Sequence, residues 1–273
     1  MSRALTVGLI QMCSTSNVQD NLRLAEQFIE QAVTHGAQMV ILPESFALME
    51  KYQGQKLEYT EAHGEGNIQR WMQDIAKKFS VCIVGGTIAI NSNHSKRPYA
   101  RCYVYAPNGT LITYYDKIHL FDVAINDAEA YSESSNTYPG RRDSVFEFNG
   151  VKFGLSVCYD LRFPELYRRY QQQNVEVILV PSAFTLNTGK VHWQLLLQAR
   201  AVENLAFTLG ANQTGTHDNQ RKTFGHSMIV SPWGKVIAQS EFQQGALVAT
   251  IRLDEIDAIK AKFPAHKHRR LIP

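Results

Sequence analysis

Three residues of this chain have the types that nucleophilic catalysis needs, and each stands where a strand-like run ends. Cys158 closes the apolar stretch Val151-Lys152-Phe153-Gly154-Leu155-Ser156-Val157 and opens a polar turn leading to Pro164, a residue suited to the first position of a helix. A thiol there faces a cleft near the positive end of a helix dipole, which favours thiolate. A sulfur nucleophile also needs a proton acceptor and a group to hold the oxyanion. Glu44 follows Val40-Ile41-Leu42-Pro43, another strand ending. Open α/β sheets gather functional groups at the carboxyl ends of their strands, so Glu44 and Cys158 are expected to line one cleft. Lys117, in Tyr114-Tyr115-Asp116-Lys117-Ile118-His119-Leu120-Phe121-Asp122, directly follows a strand. In such a set the carboxylate takes the thiol proton, the ammonium stabilises the oxyanion and sulfur attacks. Blander readings stand beside these. A glutamate after proline is also an exposed turn residue or a helix cap, and a lysine between Tyr115 and Phe121 is also a snorkelling surface residue. Cys–His chemistry is the direct competitor, with His119, His192 and His226 available.

The elements that must position these groups alternate between strand and helix. Leu5 to Met12 reads as a buried strand. Val18 to His35 reads as an amphipathic helix closed by Gly36. Met39 to Leu42 is a short strand, Asn67 to Phe79 a second helix, and Val81 to Ile90 a further strand. Pro107-Asn108-Gly109 marks a hairpin between Arg101–Ala106 and Leu111–Tyr115. The run Gly36 to Phe46 resembles Asn174 to Phe184, and each is followed by a helix, a strand and a hairpin. The second hairpin turns at Pro232-Trp233-Gly234, and a helix over Val191 to Asn204 opens with His192 and Trp193. Two similar α/β halves imply two face-to-face sheets with helices outside, a four-layer αββα sandwich in one domain, residues 1–273. The segments 47–66 and 122–144 read as polar, irregular loops long enough to act as lids.

Composition narrows the function class. The chain has 273 residues and a formal net charge of +3, with no basic and aromatic stripe of the kind that binds nucleic acid. No run approaches the ~18 apolar residues of a spanning helix, and no signal-peptide pattern opens the sequence. Cys13, Cys82, Cys102 and Cys158 are widely spaced without a CxxC, so neither a zinc ribbon nor a disulfide framework is expected. The first three read as inert core residues, and a reducing cytoplasm fits. The histidines have no metal-ligand spacing, so neither a metal nor a cofactor is expected.

Leu42-Pro43-Glu44, Asp116 to Asp122, and Val157-Cys158-Tyr159-Asp160-Leu161-Arg162-Phe163-Pro164-Glu165-Leu166, in that order, resemble the three signatures of the nitrilase superfamily of carbon–nitrogen hydrolases. The resemblance runs from about residue 5 to the C-terminus and implies an αββα sandwich. It implies Cys158 as the nucleophile that forms a thioester, Glu44 as general base and acid, and Lys117 with the backbone N–H of Tyr159 as the oxyanion holder. Glu133, in Ser132-Glu133-Ser134, matches a second glutamate beside the lysine, or is an exposed loop residue. Within the superfamily the chain is similar to the Nit-type branch, and in it to the deaminated glutathione amidases rather than the ω-amidases, through Pro164, Ser182 and the run Phe224 to Gly234. That branch implies hydrolysis of a small amide to α-ketoglutarate and cysteinylglycine, and assembly as a homodimer or higher homo-oligomer. Arg162 would then be the bidentate partner of the keto-acid carboxylate, or else a structural ion pair with Asp160 or Glu165. Phe184 and Thr188 would wall the acyl pocket. The competing expectations are ω-amidase activity on α-ketoglutaramate, hydrolysis of another small amide or a nitrile, and a silent scaffold that keeps the fold.

Overall fold

Short runs that are buried on both faces, such as Met39–Leu42 and Val177–Leu179, can only be interior strands of parallel sheets. The computed structural model describes residues 3–126 and 129–271. Residues 127 and 128 of the 122–144 segment, and residues 1, 2, 272 and 273 of the expected domain, lie outside the described residues. The first half contains β1 (Ala4–Gln11), α1 (Val18–Thr34), β2 (Met39–Leu42), α2 (Asn67–Phe79), β3 (Cys82–Gly85), β4 (Ile88–Ile90), β5 (Tyr99–Tyr105) and β6 (Leu111–Asp116). A small hairpin, β7 (Asp122–Asn126) and β8 (Glu129–Ser132), follows. The second half contains β9 (Val145–Phe148), β10 (Val151–Leu155), α3 (Pro164–Gln172), β11 (Val177–Leu179), α4 (Leu186–Thr188), α5 (Gln194–Asn204) and β12 (Phe207–Gly210). A second hairpin, β13 (Thr214–Thr216) with β14 (Lys222–Phe224), precedes β15 (Met228–Val230), β16 (Val236–Gln239), β17 (Gly245–Arg252) and α6 (Asp254–Lys262).

The first sheet runs β17-β1-β2-β3-β5-β4 with β6 on β5, and the second runs β16-β15-β12-β11-β10-β9. Each has three adjacent parallel strands, β1-β2-β3 or β10-β11-β12, flanked by antiparallel ones. The period-two alternation of β1 sends Leu5, Val7 and Leu9 towards the second sheet and Ile10 towards α1 and α2. Inner residues of both sheets share one apolar cluster that continues through the second sheet into Leu166, Tyr170, Leu197 and Ala201 of α3 and α5. A separate cluster packs α1 and α2 on the outer face of the first sheet. These are the four layers of the expected αββα sandwich. Gly8 and Gly154 occupy matching places in the two halves. A Cβ on Gly8 would come within 2.8 Å of the Ala32 methyl, and one on Gly154 within 2.8 Å of the Tyr170 ring. Each glycine lets a helix lie close on its sheet.

Four expectations are corrected. Val81–Ile90 is not one strand. It breaks at Gly86 (φ 49°), where a Cβ would stand 2.0 Å from the Pro43 carbonyl oxygen. The helix expected from Val191 starts earlier, with α4 running through a π-turn at Gly189–Trp193 into α5. The loops are not wholly irregular, since 47–66 holds a 3-10 turn at Gln55–Tyr59 and 122–144 holds β7, β8 and a 3-10 turn at Glu133–Ser135. Cys13 is half-buried rather than a core residue, with its sulfur 3.7 Å from His217 Nδ1. All four cysteines are free, and burial pushes the Cys82 thiol up to about 12.

Candidate active site

Strand endings from both sheets deliver the charged groups and the thiol to one place. β2 ends at Leu42 and turns through Pro43 to Glu44, and β6 ends at Asp116 next to Lys117. From the facing sheet, β10 ends three residues before Cys158. The Glu44 turn is locked from below. Ser45 takes a left-handed φ of 58°, its N–H donates to the Thr87 hydroxyl at 2.9 Å, and Gln213 Nε2 donates to the Glu44 carbonyl at 3.0 Å. The break after β3 is what brings Thr87 beside that turn.

Cys158 also has a left-handed backbone (φ 48°), uncommon for a residue with a Cβ. Its N–H donates to the Pro181 carbonyl at 3.0 Å. The fully buried Asp160 holds the elbow in shape. Its carboxylate accepts from the Val157 N–H at 2.8 Å, the Tyr115 hydroxyl at 2.7 Å and the His119 N–H at 3.0 Å, and lies 2.7 Å from His119 Nδ1. Strain of this kind persists only where the surroundings over-determine it, and here two sheets contribute to the clamp.

Lys117 is 2% exposed and spends its three N–H donors on two carboxylates. Its Nζ is 2.7 Å from Glu44 Oε1, and 3.0 and 2.8 Å from the two oxygens of Glu133. Glu133 is anchored in turn by the Phe121 N–H at 2.6 Å. The other oxygen of Glu44 accepts from the Ala183 N–H at 2.9 Å, and the same carboxylate hydrogen-bonds the Cys158 thiol. Burial pushes Glu44 up, but the Lys117 charge and its hydrogen bond outweigh that and hold the carboxyl below its usual range. Burial pulls Lys117 down, and the charges of Glu133 and Glu44 raise it well above the usual amine value. For Cys158, burial first and then the Glu44 charge push the thiol well above its ordinary value, against the pull of Lys117 and the Ala183 N–H. This corrects the thiolate expected from a helix dipole. Cys158 begins a 3-10 turn, Cys158–Arg162, while α3 starts only at Pro164, so burial and then the carboxylate beside the sulfur decide its state. The site rests as a neutral thiol hydrogen-bonded to an ionised carboxylate, a pair poised for proton transfer during attack.

Glu44, Lys117 and Cys158 line a cleft of about 1100 Å³ together with Glu133, Tyr159, Arg162, Phe184 and Thr188. All eight residues singled out in the sequence therefore face one cavity. Arg162 pairs with neither Asp160 nor Glu165. Its Nη1 is 3.3 Å from His192 Nδ1, and its guanidinium lies over the rings of Phe184 and Tyr159, at 5.5 and 5.7 Å. Thr188 shares a 2.9 Å hydroxyl contact with Thr185, the residue that caps α4. The three histidines of the competing reading are engaged elsewhere. His119 binds Asp160 and stacks on Phe163, His192 binds Arg162, and His226 Nδ1 lies 2.8 Å from the Phe224 carbonyl.

Other residues at the site escaped the sequence reading. Ala183 acts through its backbone, which side-chain type does not encode. Asp160 lies within the Val157–Leu166 motif, and its place two residues after the elbow is the available signal. Lys56 is part-buried in the cleft wall, where it donates to Asn136 and Thr137 at 2.9 and 2.7 Å, and partial burial lowers its pKa. Arg221, on the turn before β14, also lines the cleft, and no motif marked it. Among the described residues no group of three or more His, Cys, Asp or Glu is arranged to hold a metal ion, and no helix is long and apolar enough to cross a membrane.

Known proteins resemble this chain over nearly its whole length. The family model described as carbon-nitrogen hydrolase matches residues 6–261. A deaminated glutathione amidase of Synechocystis is 39% identical over 263 residues, covering 95% of this chain and 96% of that protein. Human omega-amidase NIT2 is 34% identical over 266 residues, covering 97% and 94%. The crystal structure of Saccharomyces cerevisiae Nit3, a member of branch 10 of the nitrilase superfamily, matches with a TM-score of 0.89 at 28% identity, covering 99% of this chain and 98% of that one. With the family model spanning nearly all of its length and amidases among its near-full-length relatives, the chain belongs to the carbon–nitrogen hydrolase family, as a hydrolase acting on carbon–nitrogen bonds other than peptide bonds.

Proposed function

We propose that this chain is an amidase that cleaves deaminated glutathione to α-ketoglutarate and cysteinylglycine through a thioester on Cys158. The observation that carries the reading is the hydrogen-bonded chain Cys158–Glu44–Lys117–Glu133 on the floor of a cleft that also holds Arg162, an arginine without a carboxylate partner among the described residues. As sulfur bonds to the amide carbon, the thiol proton passes to Glu44. The carbonyl oxygen gains charge against Lys117 and the Tyr159 N–H. Lys117 has no idle donor, so it turns one N–H from its bidentate contact with Glu133 to the oxyanion, and Glu133 keeps it oriented and charged. Glu44 then gives its proton to the leaving amine and the C–N bond breaks. Water enters, Glu44 removes its proton, and collapse of the second intermediate frees the acid and returns the proton to the Cys158 sulfur. One carboxylate shuttles every proton, so no histidine is needed.

Arg162 fits the role of anchor for the keto-acid carboxylate, with Phe184 and Thr188 walling the acyl chain. The relatives named deaminated glutathione amidase support this substrate, and those named omega-amidase make α-ketoglutaramate the second reading. The same reading carries one domain, a homodimer, a cytoplasmic location and no cofactor with it. The test is kcat/KM on deaminated glutathione, α-ketoglutaramate, a simple nitrile and a carbamoyl amino acid. Deaminated glutathione is expected to lead. If α-ketoglutaramate leads, the ω-amidase reading replaces this one, and turnover of none of the four would contradict both.

A further inference from the structure

The cleft is more cationic than one bound carboxylate requires. Its charged lining comprises six cations and three carboxylates, an excess equal to the net charge of the whole chain. Lys117 and Lys56 already have carboxylate neighbours, Glu44 and Glu133 for the first and Glu50 at 3.7 Å for the second. Arg162 is assigned above to the acyl group. Lys51 and Lys222 are exposed to solvent, which leaves Arg221, and its setting is unusual. Its Nη2 donates to the Ala183 carbonyl at 2.6 Å and its guanidinium lies 5.2 Å from the centre of the Tyr131 ring. Its Nε is buried with no hydrogen-bond partner. A buried donor on a charged group, left without an acceptor, costs free energy that an arriving anion would recover.

The backbone fixes this arginine as firmly as a site residue. The His217 N–H donates to the Arg221 carbonyl at 2.9 Å, the Arg221 N–H donates to Asn219 Oδ1 at 3.0 Å, and the next three residues form β14. Its position relative to the sulfur is also defined. Arg221 holds the carbonyl of Ala183, whose own N–H is bonded to Glu44. Its charge is one of those that pull the Glu44 carboxyl down. Arg221 therefore stands on the Glu44 side of Cys158, whereas Arg162 stands on the wall formed by Tyr159, Phe184 and His192. Glu44 protonates the departing amine, so the leaving group must lie on the Glu44 side.

We propose that Arg221 is a second anion-binding residue, which receives the carboxylate of a peptide-like leaving group and so selects substrates charged at both ends. The inference rests on the proposed function and deepens it. Deaminated glutathione carries one carboxylate on its acyl part and another on its terminal glycine, whereas α-ketoglutaramate carries only the first. An arginine fork opposite the second carboxylate separates the two substrates by charge as well as by size.

The test compares deaminated glutathione, the same compound with its glycine carboxylate converted to a carboxamide, and α-ketoglutaramate, on the wild-type enzyme, Arg221→Gln and Arg221→Lys. Wild type is expected to prefer the free carboxylate over the carboxamide by about tenfold or more, chiefly in KM. Arg221→Gln is expected to lose about 10- to 100-fold in kcat/KM on deaminated glutathione and at least tenfold less on the other two, with Arg221→Lys recovering part of the preference. The wild-type comparison stands even if a variant fails to fold. Equal kcat/KM for carboxylate and carboxamide on the wild type, or equal losses on all three substrates in Arg221→Gln, would overturn the role of Arg221 while leaving deaminated glutathione as the preferred substrate. A wild-type preference for α-ketoglutaramate would instead overturn the proposed function, and this inference with it.

Discussion

The two halves of the sandwich share a plan and differ in what they place at its working end. In one, β2 runs into Pro43 and Glu44; in the other, β11 runs through Val180 and Pro181 into Ser182. Both turns are buried, yet Glu44 carries a charge bonded to Lys117 and Ala183, while the Ser182 hydroxyl merely donates to the Val180 carbonyl at 3.1 Å. The first half supplies the carboxylate and the ammonium; the second supplies the sulfur, the strained elbow and the Ala183 N–H. Neither half holds a complete site. Packing of one sheet on the other assembles it, and the shared apolar cluster that ends in Leu155, Val157 and Cys158 is part of the catalytic apparatus for that reason.

The sharpest way to break this comparison is to neutralise the turn in the charged half. Glu44→Gln removes the only proton shuttle, and kcat/KM should fall about 10³-fold or more with no acyl-enzyme formed. Stability should change far less, because Lys117 keeps Glu133. Next is Lys117→Met, which loses about 10²- to 10³-fold in kcat. It should also cost about 3–5 kcal/mol in denaturant unfolding, since the buried Glu44 and the part-buried Glu133 are left without their cation. If it unfolded at the wild-type midpoint, the buried pairing described here would be wrong.

The pH profile gives a middle-sized effect. The Glu44 carboxyl lies below its usual range and the Cys158 thiol well above its own. The active pair, ionised Glu44 with neutral Cys158, should therefore persist on a broad plateau through neutral pH, without the step near pH 6–7 that a catalytic imidazole would give. The acid limb of kcat/KM should fall below pH ~4, the reference value of an exposed glutamate. The stability sign follows from the same depression. Glu44 contributes stability above its unfolded pKa and loses it as pH falls through the folded one, so unfolding midpoints should drop on the acid side. The smallest effect belongs to the uncharged turn, where Ser182→Ala should change kcat/KM less than about threefold and stability by about 1 kcal/mol. A Ser182 loss as large as that of Glu44 would erase the distinction between the halves.

Much of this was legible in the sequence because strand endings are marked by residue type. The apolar runs before Glu44, Lys117 and Cys158, the Pro-Asn-Gly and Pro-Trp-Gly turns, and the likeness of Gly36–Phe46 to Asn174–Phe184 gave the two-half sandwich and its cleft. What escaped depends on contacts between segments far apart in sequence. The break at Gly86 follows from the nearby Pro43 carbonyl, which no local pattern near residue 86 reveals. The neutral state of the Cys158 thiol follows from its burial between the sheets and from a carboxylate more than a hundred residues away, which together outweigh the local dipole argument. Arg221 sits on a turn between two short strands, and only the Ala183 carbonyl and the cleft give it meaning.

The central claim is that Cys158, served by Glu44 rather than by a histidine, carries an acyl group. Rapid acid quenching of wild type, Glu44→Gln and His119→Ala during turnover of deaminated glutathione, followed by peptide mass spectrometry, tests it directly. The expected result is an α-ketoglutaryl adduct on the Cys158 peptide in wild type and His119→Ala, and none in Glu44→Gln. An adduct that survives in Glu44→Gln but vanishes in His119→Ala would contradict the account.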